Sequence, residues 1–116
     1  MRRAERALPL RWCNLSQGFS VSTASFKEST LVNICDEELL GRTVTEGRLQ
    51  VKISKEFYCK EIVDEWKALQ LIKQCSIVNL AGDRSVALAL RNKIGAEQAI
   101  RKIEGVPFLM IYKFLR

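Results

Sequence analysis

A single-domain α/β fold, a mixed sheet flanked by two to three short helices, is what this sequence predicts, and three observations carry the prediction. Leu49, Val51 and Ile53 alternate with Gln50, Lys52 and Ser54, the two-residue period of a strand with one face buried. Two helical patterns, Asp64 to Gln74 and Arg84 to Ile94, are separated by the apolar strand-like run Ser76 to Ala81, which makes a strand, turn, helix unit. Finally, 116 residues with 47% hydrophobic content supply one core, whereas two cores would leave each half near the lower limit for folding alone.

The remaining elements follow in chain order. Phe19 to Phe26 partly alternates larger and smaller side chains and predicts the first strand. Lys27, Glu28 and Ser29 form a polar turn, and Leu31 to Cys35 is a buried second strand that can close a hairpin with the first. Asp36 can cap a short helix whose first turn holds Glu37 and Glu38, with Gly41 ending it. In the Asp64 helix, Trp66, Leu69 and Ile72 recur at threes and Asp64 caps the start. Gly82 and Asp83 supply the turn and cap of the next helix, closed by Gly95. Ala96 to Ile103 reads equally as a helical turn or a strand, and Phe108 to Tyr112 is a final strand after Gly105 and Pro107. Residues 1–18 read as a basic, flexible extension and residues 19–116 as the domain.

Composition removes several function classes. No apolar run approaches the roughly 18 residues of a membrane span, and the leader lacks the apolar segment of about 7–15 residues that a secretory signal needs. Its Arg- and Ser-rich character resembles a mitochondrial transit peptide superficially, but a basic tail is the preferred reading. Four widely spaced cysteines without a Cys-x-x-Cys pair read as reduced thiols in a cytoplasmic setting, with no metal site. With no histidine, the chain lacks the commonest general base, metal ligand and activator of a Ser or Cys nucleophile. No catalytic residue, cofactor or small-molecule substrate is assigned. The net charge of +6 favours a polyanionic partner whose binding weakens with salt.

Each chemical constellation has a structural counterpart. Asp36, Glu37 and Glu38 could meet magnesium, but consecutive helical residues diverge by about 100°, so capping is favoured. Cys35 beside Asp36 lacks a base to make it a nucleophile. Gly82-Asp83-Arg84, where strand meets helix, could receive a phosphate, yet Asp83 repels an anion and no Gly-rich or Walker pattern is present. Phe57, Tyr58 and Trp66 could dock a protein if exposed, though such aromatics more often pack inside. Three basic groups remain as candidate RNA contacts: Arg2, Arg3, Arg6 and Arg11 with the stacking ring of Trp12; Lys52, Lys55 and Lys60; and Arg101, Lys102, Lys113 and Arg116, to which Arg84 is added.

Four blocks, Asn33-Ile-Cys-Asp-Glu-Glu-Leu-Leu-Gly41, Ile53-Ser-Lys-Glu-Phe-Tyr58, Asn79-Leu-Ala-Gly-Asp-Arg84 and Gly105-Val-Pro107, resemble a small archaeal family filed as domain of unknown function 424. The resemblance spans about Phe19 to the C terminus. It implies an archaeal cytoplasmic α/β protein without an assigned catalytic site, and an association with the translation apparatus. The expectation is therefore a non-enzymatic ribosomal or ribosome-associated protein, with the large subunit favoured, whose partners are ribosomal RNA and ribosomal proteins. The leader departs from the compact family pattern and reads as an extension or as translation assigned from too far upstream.

Overall fold

The computed structural model describes residues 18–113, so Arg2, Arg3, Arg6, Arg11, Trp12 and Arg116 lie outside the described residues. A mixed six-stranded sheet forms the centre. Its strands are β1 (Phe19–Phe26), β2 (Ser29–Asp36), β5 (Glu61–Val63), β6 (Ile77–Ala81), β7 (Arg101–Ile103) and β8 (Val106–Tyr112), in the spatial order β5-β1-β2-β6-β8-β7. The predicted β1–β2 hairpin is antiparallel from the Phe19–Asp36 pair to the Phe26–Ser29 pair. At the centre β2 and β6 run parallel, Leu31 opposite Ile77 and Cys35 opposite Ala81, so both carboxyl ends open at the same edge of the molecule.

One face of this sheet carries two helices, α2 (Glu65–Gln74) and α3 (Asp83–Arg91). Val32, Ile34, Val78, Leu80, Leu109 and Ile111 alternate along their strands toward that face and meet Ala68, Ile72, Val86, Leu88 and Ala89 from the helices. Burying each large aliphatic side chain there contributes about 1.5–3 kcal/mol before entropy is counted. Asp64 caps α2 as expected, its Oδ1 accepting the Lys67 N–H at 2.9 Å.

The apolar row of α2 differs from the expected one. Trp66 is 68% exposed, and the buried residues are Ala68 and Ile72, followed by Cys75. Steps of three fall short of a full turn by about 60°, so a Trp66-Leu69-Ile72 row drifts round the helix, whereas steps of four and three keep to one side.

A second, smaller layer covers part of the other face. Leu49 to Lys52 forms β4 as expected, but it pairs with a strand not foreseen, β3 (Thr43–Glu46), in a separate two-stranded sheet. Val44, Ile53 and Tyr58, the last from the single turn α1 (Lys55–Tyr58), pack with Cys35, Leu39, Ala81, Ile103 and Val106. The hairpin is locked down by a reciprocal pair: Glu104 Oε1 accepts the Thr45 N–H at 2.8 Å, and Glu46 Oε1 accepts the Glu104 N–H at 3.3 Å. The segment from Ala96 resolves into a 3-10 turn at Glu97–Ala99 followed by β7.

Candidate functional site

Three of the four family-like blocks, far apart in sequence, converge at the carboxyl ends of β2 and β6. In open α/β sheets this is the edge where strand ends and helix starts present unpaired polar groups. Here the chain fills that position itself. Asp36, 3% exposed at the end of β2, receives the Arg84 N–H on Oδ2 at 2.9 Å, and its Oδ1 receives both the N–H and the hydroxyl of Ser85 at 2.7 Å.

This corrects two capping expectations. Asp36 makes no side-chain bond to the 3-10 turn Glu37–Leu39 that follows it, and Asp83 is the first residue of α3 rather than its cap, a position held by Gly82. Instead Asp36 caps α3 from a neighbouring strand. The reason is steric and electrostatic together: α3 begins directly beside the end of β2, and its first N–H groups and positive dipole end draw in the nearest carboxylate. Gly82 makes this approach possible. A Cβ there would lie 2.4–2.8 Å from the Asp36 carboxylate, and the backbone φ of +109° already belongs to the region that favours glycine. The Gly82 N–H is itself taken by Pro107 O at 2.9 Å, which ties in the Gly105–Pro107 block.

Arg84 extends the cluster outward. Its Nε donates to Glu38 Oε2 at 3.1 Å, and its Nη2 donates to Glu38 Oε1 at 2.5 Å and to Gly18 O at 2.9 Å. The guanidinium also lies 4.8 Å from the centre of the Phe19 ring. The bond from Arg84 holds the Glu38 carboxyl below its usual range, and the same bond raises Arg84 further. Glu37 completes the hold on Gly18, its N–H reaching Gly18 O at 3.2 Å and its Oε1 accepting the Gly18 N–H at 2.8 Å. Gly18 is thereby gripped by the backbone and the carboxylate of one residue, Glu37, and by the Arg84 guanidinium.

Chemically the cluster is saturated. An anion at the Gly82 to Arg84 turn would have to displace Asp36 from the N–H groups it already occupies. Cys35 is fully buried, its thiol donates to Asp36 O at 3.1 Å, and burial, then the adjacent Asp36 charge, pushes its pKa to about 12. Such a thiol stays protonated and is a poor nucleophile. Among the described residues no group of three or more Cys, Asp and Glu side chains is arranged to hold a metal ion. Two clefts flank the cluster, one of 650 Å³ on the α2/α3 side and one of 350 Å³ beside Arg42 and Glu104.

The basic residues singled out in the sequence fall into two sets. Arg84 and Lys113 are held internally; Lys113 Nζ donates to Ile72 O and, at 3.1 Å, to Lys73 O, capping the end of α2. Partial burial lowers the Lys113 pKa. By contrast Lys52, Lys55, Lys60, Arg101 and Lys102 are exposed. Of the aromatics considered for docking, Tyr58 is buried, Trp66 is exposed, and the Phe57 side chain lies outside the description.

The part that sequence reasoning missed is the outer face of the β3–β4 hairpin. Thr43 opposite Lys52 and Thr45 opposite Gln50 are exposed there, with Arg42 and Arg48 flanking, while Val44, Leu49 and Val51 turn inward. The alternation of Thr43, Val44 and Thr45 was the available signal.

Comparison with known proteins gives a family and a fold. A family model described as "Protein of unknown function (DUF424)" matches residues 24–114. The crystal structure of an uncharacterized conserved protein from Methanopyrus kandleri is similar, with a TM-score of 0.71 at 19% identity over 84% of this chain and 93% of that one. No curated protein matches.

Proposed function

Taking as premise that the chain belongs to the DUF424 protein family, we propose that it is a non-enzymatic accessory protein of the translation apparatus, associated with the large ribosomal subunit in the cytoplasm and binding ribosomal RNA through its basic residues. The observation that carries this reading is the outer face of the β3–β4 hairpin. Its exposed side chains are cations, hydroxyls and an amide, and the neighbouring acids, Glu46 and Glu104, are turned into the reciprocal bonds that fasten the hairpin. Lys and Arg suit phosphates, and Thr and Gln suit phosphate and 2′-hydroxyl oxygens.

The charge distribution supports the same reading. Five of the 19 basic residues, but only one of the 13 acidic ones, fall in residues 1–17 and 114–116, so the described domain is close to charge balance and the terminal segments hold most of the excess. Lys60 and the Arg101–Lys102 edge strand add further exposed cations. The absence of an activated nucleophile or available carboxylate in the saturated cluster favours binding over catalysis.

Sedimentation of a gently prepared native lysate through a sucrose gradient tests the proposal. Migration with a ribosomal subunit at low salt, lost after ribonuclease treatment, is the expected result, and R48E/K52E should shift the protein to the top of the gradient. Sedimentation as a free small protein at every salt concentration would overturn a stable ribosomal association.

A further inference from the structure

We infer that the unpaired edge of β1, from Ser22 to Phe26, receives an extended acidic segment of a partner protein as an added strand. β1 has eight residues, but β5 pairs only with Phe19, Ser20 and Val21. The last contact on that side is the Lys60 N–H on Val21 O at 2.8 Å. Beyond it the strand is bonded on its other side to β2 and has no neighbour among the described residues. Since Val21 directs its carbonyl away from β2, residues two and four further on do the same, which leaves the N–H and C=O groups of Thr23 and Ser25 facing outward. Both residues are exposed.

A row of unpaired backbone donors and acceptors is a template for strand addition unless something covers it. Beside this one runs a groove of 220 Å³ lined by Val21, Thr23, Lys60, Glu61, Lys67 and Leu71. An added strand would send alternate side chains into the groove, where Leu71 and Val21 meet apolar atoms and Lys60 and Lys67 outnumber Glu61. The complement is an extended segment alternating acidic and apolar residues.

Charge also decides against the two nearest alternatives. The chain's own first 17 residues carry four arginines and one glutamate, the same sign as the groove. Two-fold pairing of β1 with a second copy would bring both sets of Lys60 and Lys67 to one seam. The outermost strands of the six-stranded sheet, β5 and β7, are only three residues long, and where β8 runs past β7, from Leu109 to Tyr112, its exposed side chains are Met110 and Tyr112 rather than cations.

Amide exchange measured by NMR on the full chain tests this, with an octapeptide alternating Glu and Val and a second alternating Lys and Val. The Glu/Val peptide should slow the Thr23 and Ser25 amides at least tenfold at millimolar concentration, leaving those of Val78 and Leu80 unchanged. K60E/K67E should transfer that protection to the Lys/Val peptide. Equal protection by both peptides, or by neither, overturns the inference. So does slow exchange of Thr23 and Ser25 without peptide, whether independent of protein concentration, meaning that the chain covers its own edge, or rising with it, meaning that a second copy does.

Discussion

Two buried polar clusters sit on the same pair of parallel strands and are built in opposite ways. At the end of β2 the Asp36 carboxylate gathers three donors and joins sheet to helix. Three residues earlier, Asn33 and Asn79 lie opposite each other, joined by one bond from Asn79 Nδ2 to Asn33 Oδ1 at 2.8 Å, and Asn79 Oδ1 is buried with no partner among the described residues. This second pair lies in the row Ser22, Asn33, Asn79, Met110, where the small hairpin layer gives way and Met110 and Tyr112 stand 51% and 56% exposed. A buried polar group stabilises when its partners converge on it and costs when they do not. The Asp36 end should therefore be intolerant of change and the Asn pair permissive.

The largest effect expected is at Gly82. G82A forces a Cβ into the Asp36 carboxylate and a strained backbone, and urea unfolding should show a loss of about 3 kcal/mol or more. If the loss is under about 1 kcal/mol, the close contact between the strand end and the helix start is not as described.

D36A comes next. It strips the cap from α3 and leaves two backbone N–H groups and the Ser85 hydroxyl unpaired, at an expected cost of about 2–4 kcal/mol, whereas D36N should retain part of the stability. N33V/N79V, the corresponding change in the other cluster, removes both amides together and should be neutral or stabilising by up to about 1 kcal/mol. Equal losses for the two clusters would erase the contrast between them.

Glu38 gives a smaller, pH-dependent effect. Its folded pKa is depressed below the ordinary 4.5 by the Arg84 bond, so its contribution is present above that value and is lost as pH falls through the lowered one. The side chain is 42% exposed, so solvent screening should keep the contribution under about 1 kcal/mol. E38Q should flatten that part of the acid dependence of the urea midpoint.

Two of the cysteines differ in reactivity rather than in stability. At pH 8 a thiol reagent should modify Cys59, which is only partly buried, well before Cys35, whose thiol has a pKa of about 12. Peptide mapping after timed alkylation separates the two.

Most elements can be placed from the amino-acid order alone. β1, β2, β4, β6, α2, α3 and β8 declare themselves through apolar period and through local punctuation such as Asp64 and Gly82, because a strand's alternation and a helix's first turn are written within a few neighbouring residues. Which carboxylate serves which helix, by contrast, is settled by long-range packing. Asp36 has its own 3-10 turn next in sequence, yet its partners are 48 and 49 residues away, at Arg84 and Ser85, since parallel pairing of β2 with β6 sets α3 beside it. The same holds for Trp66, exposed because the packing of α2 selects the Ala68–Ile72 side, and for Arg84 and Lys113, whose sequence contexts read as open cations but whose charges are taken up by Glu38 and by the end of α2. Local pattern specifies what an element is; long-range packing assigns its side chains their partners, and no short window of sequence contains both members of such a pair.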